Sequence, residues 1–299
     1  MANDTTSNGV RMEHDSLGDV PVPAAALWGA QTERARQNFP ISGQHAHSTL
    51  IRATVLVKKA AALANRETGR LDERIAEAIV RAADEVLGGQ WRDQFVVDVY
   101  QAGAGTSHNM NANEVLANRA AELLGGHRGD YTLVSPNDHV NMAQSTNDVF
   151  PTAMRVATLL QARETLPAIE RLAAAFAAKG REFDGIVKSG RTHLQDATPI
   201  RLGQEFAAYG LLLRRDAERL RHASEALYEL NIGGTAVGTG LNADSRFGEV
   251  AARKIAEETG KPFVSAPNKF AALSAHDAMV NVSAALRTLA GALMKIAND

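Results

Sequence analysis

Cysteine is absent from the 299-residue chain, and aromatic residues make up only 5% of it. Without cysteine the chain has no disulfides, no thiolate metal site and no cysteine nucleophile. No apolar run approaches the length needed to cross a bilayer. Residues 1–9 show no basic segment followed by an apolar core, so they do not predict a signal peptide. We therefore expect a cytoplasmic location, with residues 1–8 as a disordered tail.

An excess of either charge is also lacking, since 32 Lys and Arg residues stand against 34 Asp and Glu residues. The resulting net charge of -2 gives no electrostatic reason to expect nucleic acid or a membrane surface as a partner. Hydrophobic residues at 45% and charged residues at 22% are typical of a soluble globular protein with a sizeable core.

Helical periodicity is present along most of the chain, whereas the alternation typical of strands is nearly absent. An all-α fold is therefore predicted. The predicted helices span 48–67, 72–87, 109–124, 149–179, 199–229, 244–259 and 271–299.

Two of these helices carry apolar residues at heptad spacing. In the fifth helix the apolar residues Phe206, Leu213, Leu220 and Leu227 recur every seven positions. In the last helix successive apolar residues are three or four positions apart. Such seams indicate a bundle of long helices that continues across a subunit interface, with an ordinary monomeric bundle as the alternative. Because no stop signal follows Ile296, we also expect the bundle to be incomplete at its C-terminal end, with a frayed natural terminus as the alternative.

The first of four polar, glycine-rich segments is Gly103–Glu114, GAGTSHNMNANE. Asn111 and Glu114 fit an N-terminal capping box, which predicts a helix start close to them. The free N–H groups and dipole of a helix N-terminus suit a carboxylate. The segment matches neither a dinucleotide fingerprint nor a phosphate-binding P-loop. A capped loop without a ligand remains the alternative.

The second segment runs from Ser135 to Asp148 and ends in the sequence Ser-Thr-Asn-Asp. Pro151 suits the first turn of the predicted helix that follows. These hydroxyls and amides can bind a carboxylate without adding another titrating group. The alternative is that two of the four side chains only cap the helix, although one cap needs one side chain.

Two further segments could carry chemistry. In Gly190–Pro199, Thr198 and Pro199 fit a helix start, and His193 lies just upstream as a candidate for proton exchange near neutral pH, or as a plain surface residue. Asn231–Asn242 holds four glycines within eight positions. That density indicates a tight loop near a site or interface, or equally a flexible link.

Other features predict less. His45 and His47 could touch a metal, but no carboxylate cluster supports them, so no metal site is expected. The pairs Lys58-Lys59 and Arg214-Arg215 are interpreted as solvated helix faces. Physical reasoning alone thus predicts a small polyanionic ligand held by helix N-termini, without choosing a reaction.

The segments GAGTSHNMNANEVLANRA, SPNDHVNMAQSTNDVFPTA, GRTHLQDATPIRLGQEF and GGTAVGTGLN resemble the fumarase/aspartase family in order and spacing. The resemblance implies an N-terminal helical lyase domain at 1–143 and a central bundle of very long helices at 144–299. It further implies a homotetramer with active sites shared between subunits and a small dicarboxylate substrate. No cofactor is expected, and an activating divalent cation is not readable from the sequence.

The resemblance also assigns site residues. His193 would be catalytic, and the substrate-binding residues would be Gly105, Thr106, Ser145, Thr146, Asn147 and Thr192, with Thr192 and His193 supplied by another subunit. In this family the base is a serine in a mobile loop with the signature GSS-x-MP-x-K-x-NP, which these residues do not include. We therefore expect the 299 residues not to turn over alone.

Two reactions compete within this resemblance. Thr146 resembles aspartases, since fumarases usually carry a second serine there, and Ser135 stands where fumarases usually have a histidine. The segments Gly233–Val237 and Ala266–Phe270 look more like fumarases. The expected activity is that of an aspartate ammonia-lyase, which releases ammonia from L-aspartate to give fumarate through an aci-carboxylate intermediate. The alternative is a class II fumarate hydratase.

Overall fold

The computed structural model describes residues 9–103 and 105–299. The predicted disordered tail and Ala104 of the first polar segment lie outside the described residues. The chain is all-α in class, as predicted, with long helices and only small two-stranded sheets.

The helices and strands have the following bounds. The helices are α1 Ala30–Asn38, α2 Ser48–Glu67, α3 Glu73–Leu87, α4 Thr106–Leu123, α5 Thr146–Glu182, α6 Leu202–Glu225, α7 Phe247–Thr259, α8 Lys269–Ser274 and α9 Asp277–Asn298. The strands are β1 Val10–Asp15, β2 Gly18–Pro23, β3 Val187–Thr192, β4 Gln195–Arg201, β5 Glu229–Leu230 and β6 Val264–Ser265. β1–β2 and β3–β4 are antiparallel hairpins, and β5 pairs with β6 in parallel. None of the described helices is long and apolar enough to span a bilayer.

Contacts divide the chain into two compact units. The first unit runs to Ala157 and resumes from Tyr228 to Ala275, and the second comprises Thr158–Leu227 and His276–Asp299. These limits differ from the predicted division at residue 143, because residues 144–157 and 228–275 group with the first unit. The division into a lyase domain and a central bundle stays a prediction.

The first unit is built around α2, α3 and α4. His47 caps α2 by accepting a hydrogen bond from the N–H of Thr49. Asp72 caps α3 by accepting hydrogen bonds from two N–H groups of its first turn. Small alanine faces let the three helices pack closely around fully buried Val55, Ile79 and Leu116. Each such side chain contributes about 1.5–3 kcal/mol by burial. This core fixes where α4 begins.

In the second unit α6 packs against α5 and α9. Leu213, Leu220 and Leu227 are buried, as the heptad spacing predicted. A Cβ added to Gly210 would come within 2.9 Å of the carbonyl oxygen of Ala173 in α5. Glycine at this point therefore lets the two helix backbones approach closely.

The predicted start of the third helix was wrong. α4 begins at Thr106 rather than near Asn111, and Gly105 precedes it in the left-handed conformation. Asn111 and Glu114 do not form a capping box, because both side chains have partners in other elements. Asn111 Oδ1 accepts from the N–H of Val96, and Glu114 accepts from the N–H of Gly29.

The fifth and last predicted helices also need correction. Thr198 and Pro199 lie in β4, and α6 begins only at Leu202. A two-stranded hairpin tolerates proline because each strand has one edge that makes no inter-strand hydrogen bonds. The last predicted helix is broken by extended backbone at Ala275, which separates α8 from α9. α1 and the hairpins were not predicted.

Candidate active site

The first two polar segments meet in the first unit, where α4 and α5 begin. Gly105 has φ of +88°, and a Cβ added there would overlap the ring of Phe150 in α5. Asn109 donates from Nδ2 to Oγ1 of Thr146 over 3.1 Å. The structure therefore brings Gly105 and Thr106 close to the first residues of α5. The N-termini of α4 and α5, each the positive end of a helix dipole, lie side by side.

The start of α5 uses two side chains for capping. Ser145 Oγ accepts from the N–H of Asn147 at 3.2 Å, and Asp148 Oδ1 accepts from the N–H of Ser145 at 2.9 Å. This reciprocal cap accounts for half of the Ser-Thr-Asn-Asp sequence. Thr146 and Asn147 are not needed for it, and their side chains are available for other roles.

The fourth segment, residues 231–242, folds over the start of α5. Asn147 donates from Nδ2 to the carbonyl of Ala236 at 2.8 Å. Asp148 Oδ2 accepts from the N–H groups of Gly233 at 3.0 Å and Thr235 at 2.9 Å. These bonds hold the glycine-rich segment in place, which favours the predicted tight loop near a site over a flexible link.

Pro151 has a consequence for Asn147. A proline has no N–H, so the carbonyl four residues earlier, that of Asn147, lacks its usual helical donor. Asn231 supplies one instead, because its Nδ2 lies 3.4 Å from that carbonyl oxygen. The proline thus lies in the second turn of α5 rather than the first, and it ties the loop to the helix.

A cavity of about 630 Å³ opens beside these elements. Its walls come from α4, the segment before α5, the start of α5 and the glycine-rich loop. The lining residues are Asn109, Met110, Asn137, Asp138, Asn141, Met142, Ala143, Gln144, Ser145, Thr146, Thr235, Ala236, Val237, Thr239, Leu241 and Asn242. Hydroxyl and amide side chains are frequent in this lining, as a site for a small polar anion requires.

A buried lysine lies behind this cavity. Lys58 of α2 is fully buried and donates to Oδ1 of Asn141 at 2.8 Å and Oε1 of Gln144 at 2.9 Å. The prediction of a solvated face at Lys58-Lys59 was wrong, since Lys59 is also buried and pairs with Asp84 and Glu258. Burial lowers the pKa of Lys58 to about 7, and the nearby Asp148 carboxylate opposes that shift.

Three more titratable groups complete the electrostatics of the site. Burial raises the pKa of Asp148 to about 6 against three backbone N–H donors, and it lowers the pKa of Lys269 to about 8. His108 bonds through Nε2 to Oγ1 of Thr54 at 2.9 Å, and burial lowers its pKa to about 4. His108 is therefore neutral near pH 7, and lysines outnumber carboxylates in this group.

Thr192 and His193 lie in the second unit. Thr192 ends β3, and His193 with Leu194 forms the two-residue turn to β4. His193 is exposed, and a strand follows it instead of the helix start that was predicted just downstream. Both turn residues have positive φ, at 50° and 63°, which ordinarily favours glycine or asparagine. Such strain is found preferentially at functional sites.

The two histidines considered as metal ligands have other partners. His47 caps α2, and His45 Nδ1 lies 3.3 Å from the carbonyl oxygen of Phe95. Over residues 9–103 and 105–299, no group of three or more His, Asp or Glu side chains is placed to hold a metal ion.

Sequence reasoning missed the polar residues that support the cavity, Lys58, Asn109, Asn141 and Gln144. One signal was available for the lysine. It lies in the run Val55–Ala64, which is apolar except for the lysine pair. A charge inside such a run is either at the edge of the buried face or paired within the core.

The family follows from comparison with known proteins. A model of the family described as lyase matches residues 18–299. The class II fumarate hydratase of Thermus aquaticus is 56% identical over 292 residues, which are 97% of this chain and 62% of that protein. The chain belongs to the fumarase/aspartase family of lyases. Members of this family need no organic cofactor.

Further relatives include both named activities. The aspartate ammonia-lyase of Bacillus subtilis (strain 168) is 52% identical, covering 97% of this chain and 61% of that enzyme. Among solved structures, a fumarate lyase:delta crystallin from Brucella melitensis bound to cobalt has a TM-score of 0.95 at 49% identity, covering 97% of this chain and 64% of that one. The chain spans about three fifths of the length of the curated relatives that it matches.

Proposed function

We propose that the cavity at the start of α4 and α5 binds fumarate and L-malate, and that the protein acts as a class II fumarate hydratase. The observation that carries the proposal is the cluster of hydroxyl and amide groups at two adjacent helix N-termini. Relatives named fumarate hydratase at 55–56% identity support the choice of reaction over the expected ammonia-lyase.

Hydration adds water across the double bond of fumarate, with hydroxide on one carbon and a proton on its neighbour. Negative charge develops on the carboxylate beside the carbon that gains or loses the proton. In this proposal Ser145 and Thr146, which line the cavity, donate to the substrate carboxylates. Thr106 and Asn147, which the family resemblance adds as further donors, are not among the residues that line it. Donors held in place before the reaction stabilise such charge more than water does.

The remaining roles rest on the family resemblance. Thr192 and His193 would complete the pocket from another copy in a homotetramer, with His193 as the catalytic histidine. Apolar side chains exposed on α9 support assembly, since Val280 is 66% exposed and Leu286 41%. A bundle continued by further copies would cover them.

Aspartate ammonia-lyase is the second candidate. Two observations favour it: Thr146 at the position where fumarases usually carry serine, and the 52% identity to the Bacillus subtilis enzyme. Both reactions share fumarate and the same carboxylate-binding groups. They differ in the leaving group, water or ammonia.

The test uses the product of the complete gene, purified and given L-malate or L-aspartate separately. Fumarate formation is followed by its ultraviolet absorbance. The proposal expects fumarate from malate and none from aspartate. Fumarate from aspartate alone would establish the ammonia-lyase, and fumarate from neither would overturn both reactions.

A further inference from the structure

Lys58 holds the orientation of the Asn141 side chain, whose Nδ2 lies 3.4 Å from the carbonyl oxygen of Gln144. Gln144 is held separately as well, because its Nε2 donates to two backbone carbonyls at 3.0 Å. A lysine ammonium has three donors and no acceptor. The groups opposite Lys58 Nζ, at 2.8 Å in Asn141 and 2.9 Å in Gln144, must therefore be the amide oxygens. Without a donor of this kind, an amide can turn over, because its O and N ends have nearly the same shape.

The orientation of Asn141 fixes that of Asn109. Asn141 Oδ1 accepts a second hydrogen bond, from Nδ2 of Asn109 at 3.3 Å. The same Nδ2 donates to Thr146 Oγ1 at 3.1 Å. Asn109 Oδ1 is left buried without a partner among the described residues. An unpaired buried oxygen costs about 1–3 kcal/mol, so the hydrogen bonds made by Asn109 Nδ2 must offset that cost to keep this orientation.

The last group in this chain of bonds is the hydroxyl of Thr146, which lines the cavity. Its oxygen accepts from Asn109, so its own hydrogen is free to point in another direction. A carboxylate only accepts hydrogen bonds. A Thr146 hydroxyl that accepts from Asn109 and donates toward the cavity therefore suits the proposed ligand.

We propose that Lys58 is a positioning residue that acts through Asn141 and Asn109 to make the Thr146 hydroxyl a donor toward the bound carboxylate. Lys58 acts through other residues, since it is fully buried and its nitrogen is taken up by two amides. The role rests on the proposed dicarboxylate site, but on neither reaction in particular.

The surroundings of Lys58 support this role. The charged or titratable groups that act on it come from two elements, Asp148 of α5 and His108 of α4. His108 is held neutral by burial and cannot compete for the amide oxygens as a cation. Asp148 is held by the N–H groups of Ser145, Gly233 and Thr235. Lys58 is thus the donor from α2 that reaches Asn141.

Removal of the Lys58 nitrogen is tested with Lys58→Met, which keeps the length of the aliphatic part of the side chain. In this variant Asn141 can turn over, whereas Gln144 stays held by the carbonyls of Val140 and Met142. Asn109 would turn with Asn141, and its Oδ1 would then accept from Thr146. The hydroxyl would present only its oxygen to the carboxylate. We expect the KM of the full-length enzyme for its substrate to rise about tenfold, because the Thr146 hydroxyl no longer donates to the carboxylate of the bound substrate.

Lys59→Met is the matched control. It removes a neighbouring buried lysine of the same helix that pairs with Asp84 and Glu258 instead of the amides. Its KM should equal that of the wild-type enzyme. Asn141→Leu breaks the same chain of bonds one step later, so adding Lys58→Met to it should leave KM unchanged. This second variant also serves if Lys58→Met does not fold, as judged by thermal melting.

Binding of succinate, measured by calorimetry on the same proteins, separates this role from the reaction. Weaker binding in Lys58→Met but not in Lys59→Met supports the role even if neither malate nor aspartate is a substrate. Equal binding in both variants overturns it, whatever reaction the enzyme catalyses. Failure of the wild-type protein to bind succinate overturns the site and this role together.

Discussion

Gly105 and Gly125 have nearly the same backbone conformation but different surroundings. Their φ angles are +88° and +89°, both in the left-handed region. A Cβ at Gly105 would overlap the Phe150 ring, whereas one at Gly125 would meet nothing within 4 Å. The pair therefore separates backbone strain from loss of the close approach between α4 and α5.

Substitution of both glycines by alanine gives the first prediction. Gly125→Ala should lower the free energy of unfolding by about 1–2 kcal/mol, the usual cost of a left-handed residue with a Cβ. Gly105→Ala should cost at least about 1 kcal/mol more, because the ring must move. Urea unfolding of both variants measures the difference. Equal losses would mean that Phe150 does not restrict Gly105.

His108 predicts a pH dependence of stability. Its folded pKa of about 4 lies below the ordinary value of 6.5, so the unfolded chain takes up the proton first as the pH falls. The stability contribution is therefore complete above pH 6.5 and is lost progressively toward pH 4. Between pH 7 and pH 5 we expect a loss of about 2 kcal/mol from this group alone.

His108→Gln isolates that contribution, because glutamine retains a hydrogen-bonding group for Thr54 but does not titrate. Urea unfolding of both proteins at pH 7 and pH 5 gives the comparison. The variant should lose less stability on acidification than the wild-type protein. The same loss in both would place the acid sensitivity in other groups.

At the scale of elements, Glu114 of α4 stabilises the start of α1. Its carboxylate is buried and accepts from the N–H groups of Gly29 at 2.8 Å, Gln31 at 2.9 Å and Thr32 at 3.0 Å. It thus satisfies donors at a helix N-terminus from 85 residues further along the chain. Burial raises the pKa of this carboxyl, and the three donors oppose the shift.

Glu114→Gln should lower the free energy of unfolding by about 2 kcal/mol, because the amide nitrogen would face N–H donors. Glu122→Gln on the same helix is the control. Its ion pairs with Arg119 and Arg128 are partly exposed, and such pairs contribute about 0–1 kcal/mol. Thermal or urea unfolding distinguishes the two. A larger loss at Glu122 would contradict this account of the α1 start.

Sequence periodicity predicted the long helices well, whereas the local capping pattern misplaced the start of α4. α2 matches its predicted span, since its apolar face alternates regularly between capped ends. The start of α4 was misplaced because Asn111 and Glu114 match a local capping pattern yet serve partners distant in sequence. A pattern limited to neighbouring residues cannot contain such partners. The β3–β4 hairpin lacks the glycine or asparagine turn that would have predicted it.

The candidate site was partly predictable for the same reason. The hydroxyls and amides at the start of α5 stood out in the sequence because they exceed what one cap needs. Lys58 did not stand out, since its position in the core depends on how α2 packs against α4 and the segment before α5. Its role became visible only through the distances to Asn141 and Gln144.

At the scale of the whole molecule, exposed apolar side chains on α9 predict assembly. Val280 is 66% exposed, and Met294 is exposed to the same extent. The product of the complete gene should be a tetramer by light scattering, and Val280→Glu should shift it toward smaller species. Leu17→Glu, in the exposed turn between β1 and β2, is the control and should remain a tetramer. A monomeric wild-type protein would contradict the shared-site proposal.

The most direct test of the account is the rate of fumarate hydration as a function of fumarate concentration, for the wild-type enzyme and Thr146→Val. Valine keeps the shape of threonine but removes the hydroxyl. The account predicts that the wild-type enzyme forms malate and that the variant has a KM at least about tenfold higher, as expected for a lost hydrogen bond to a charged group. Absence of malate, or an unchanged KM in the variant, would contradict it.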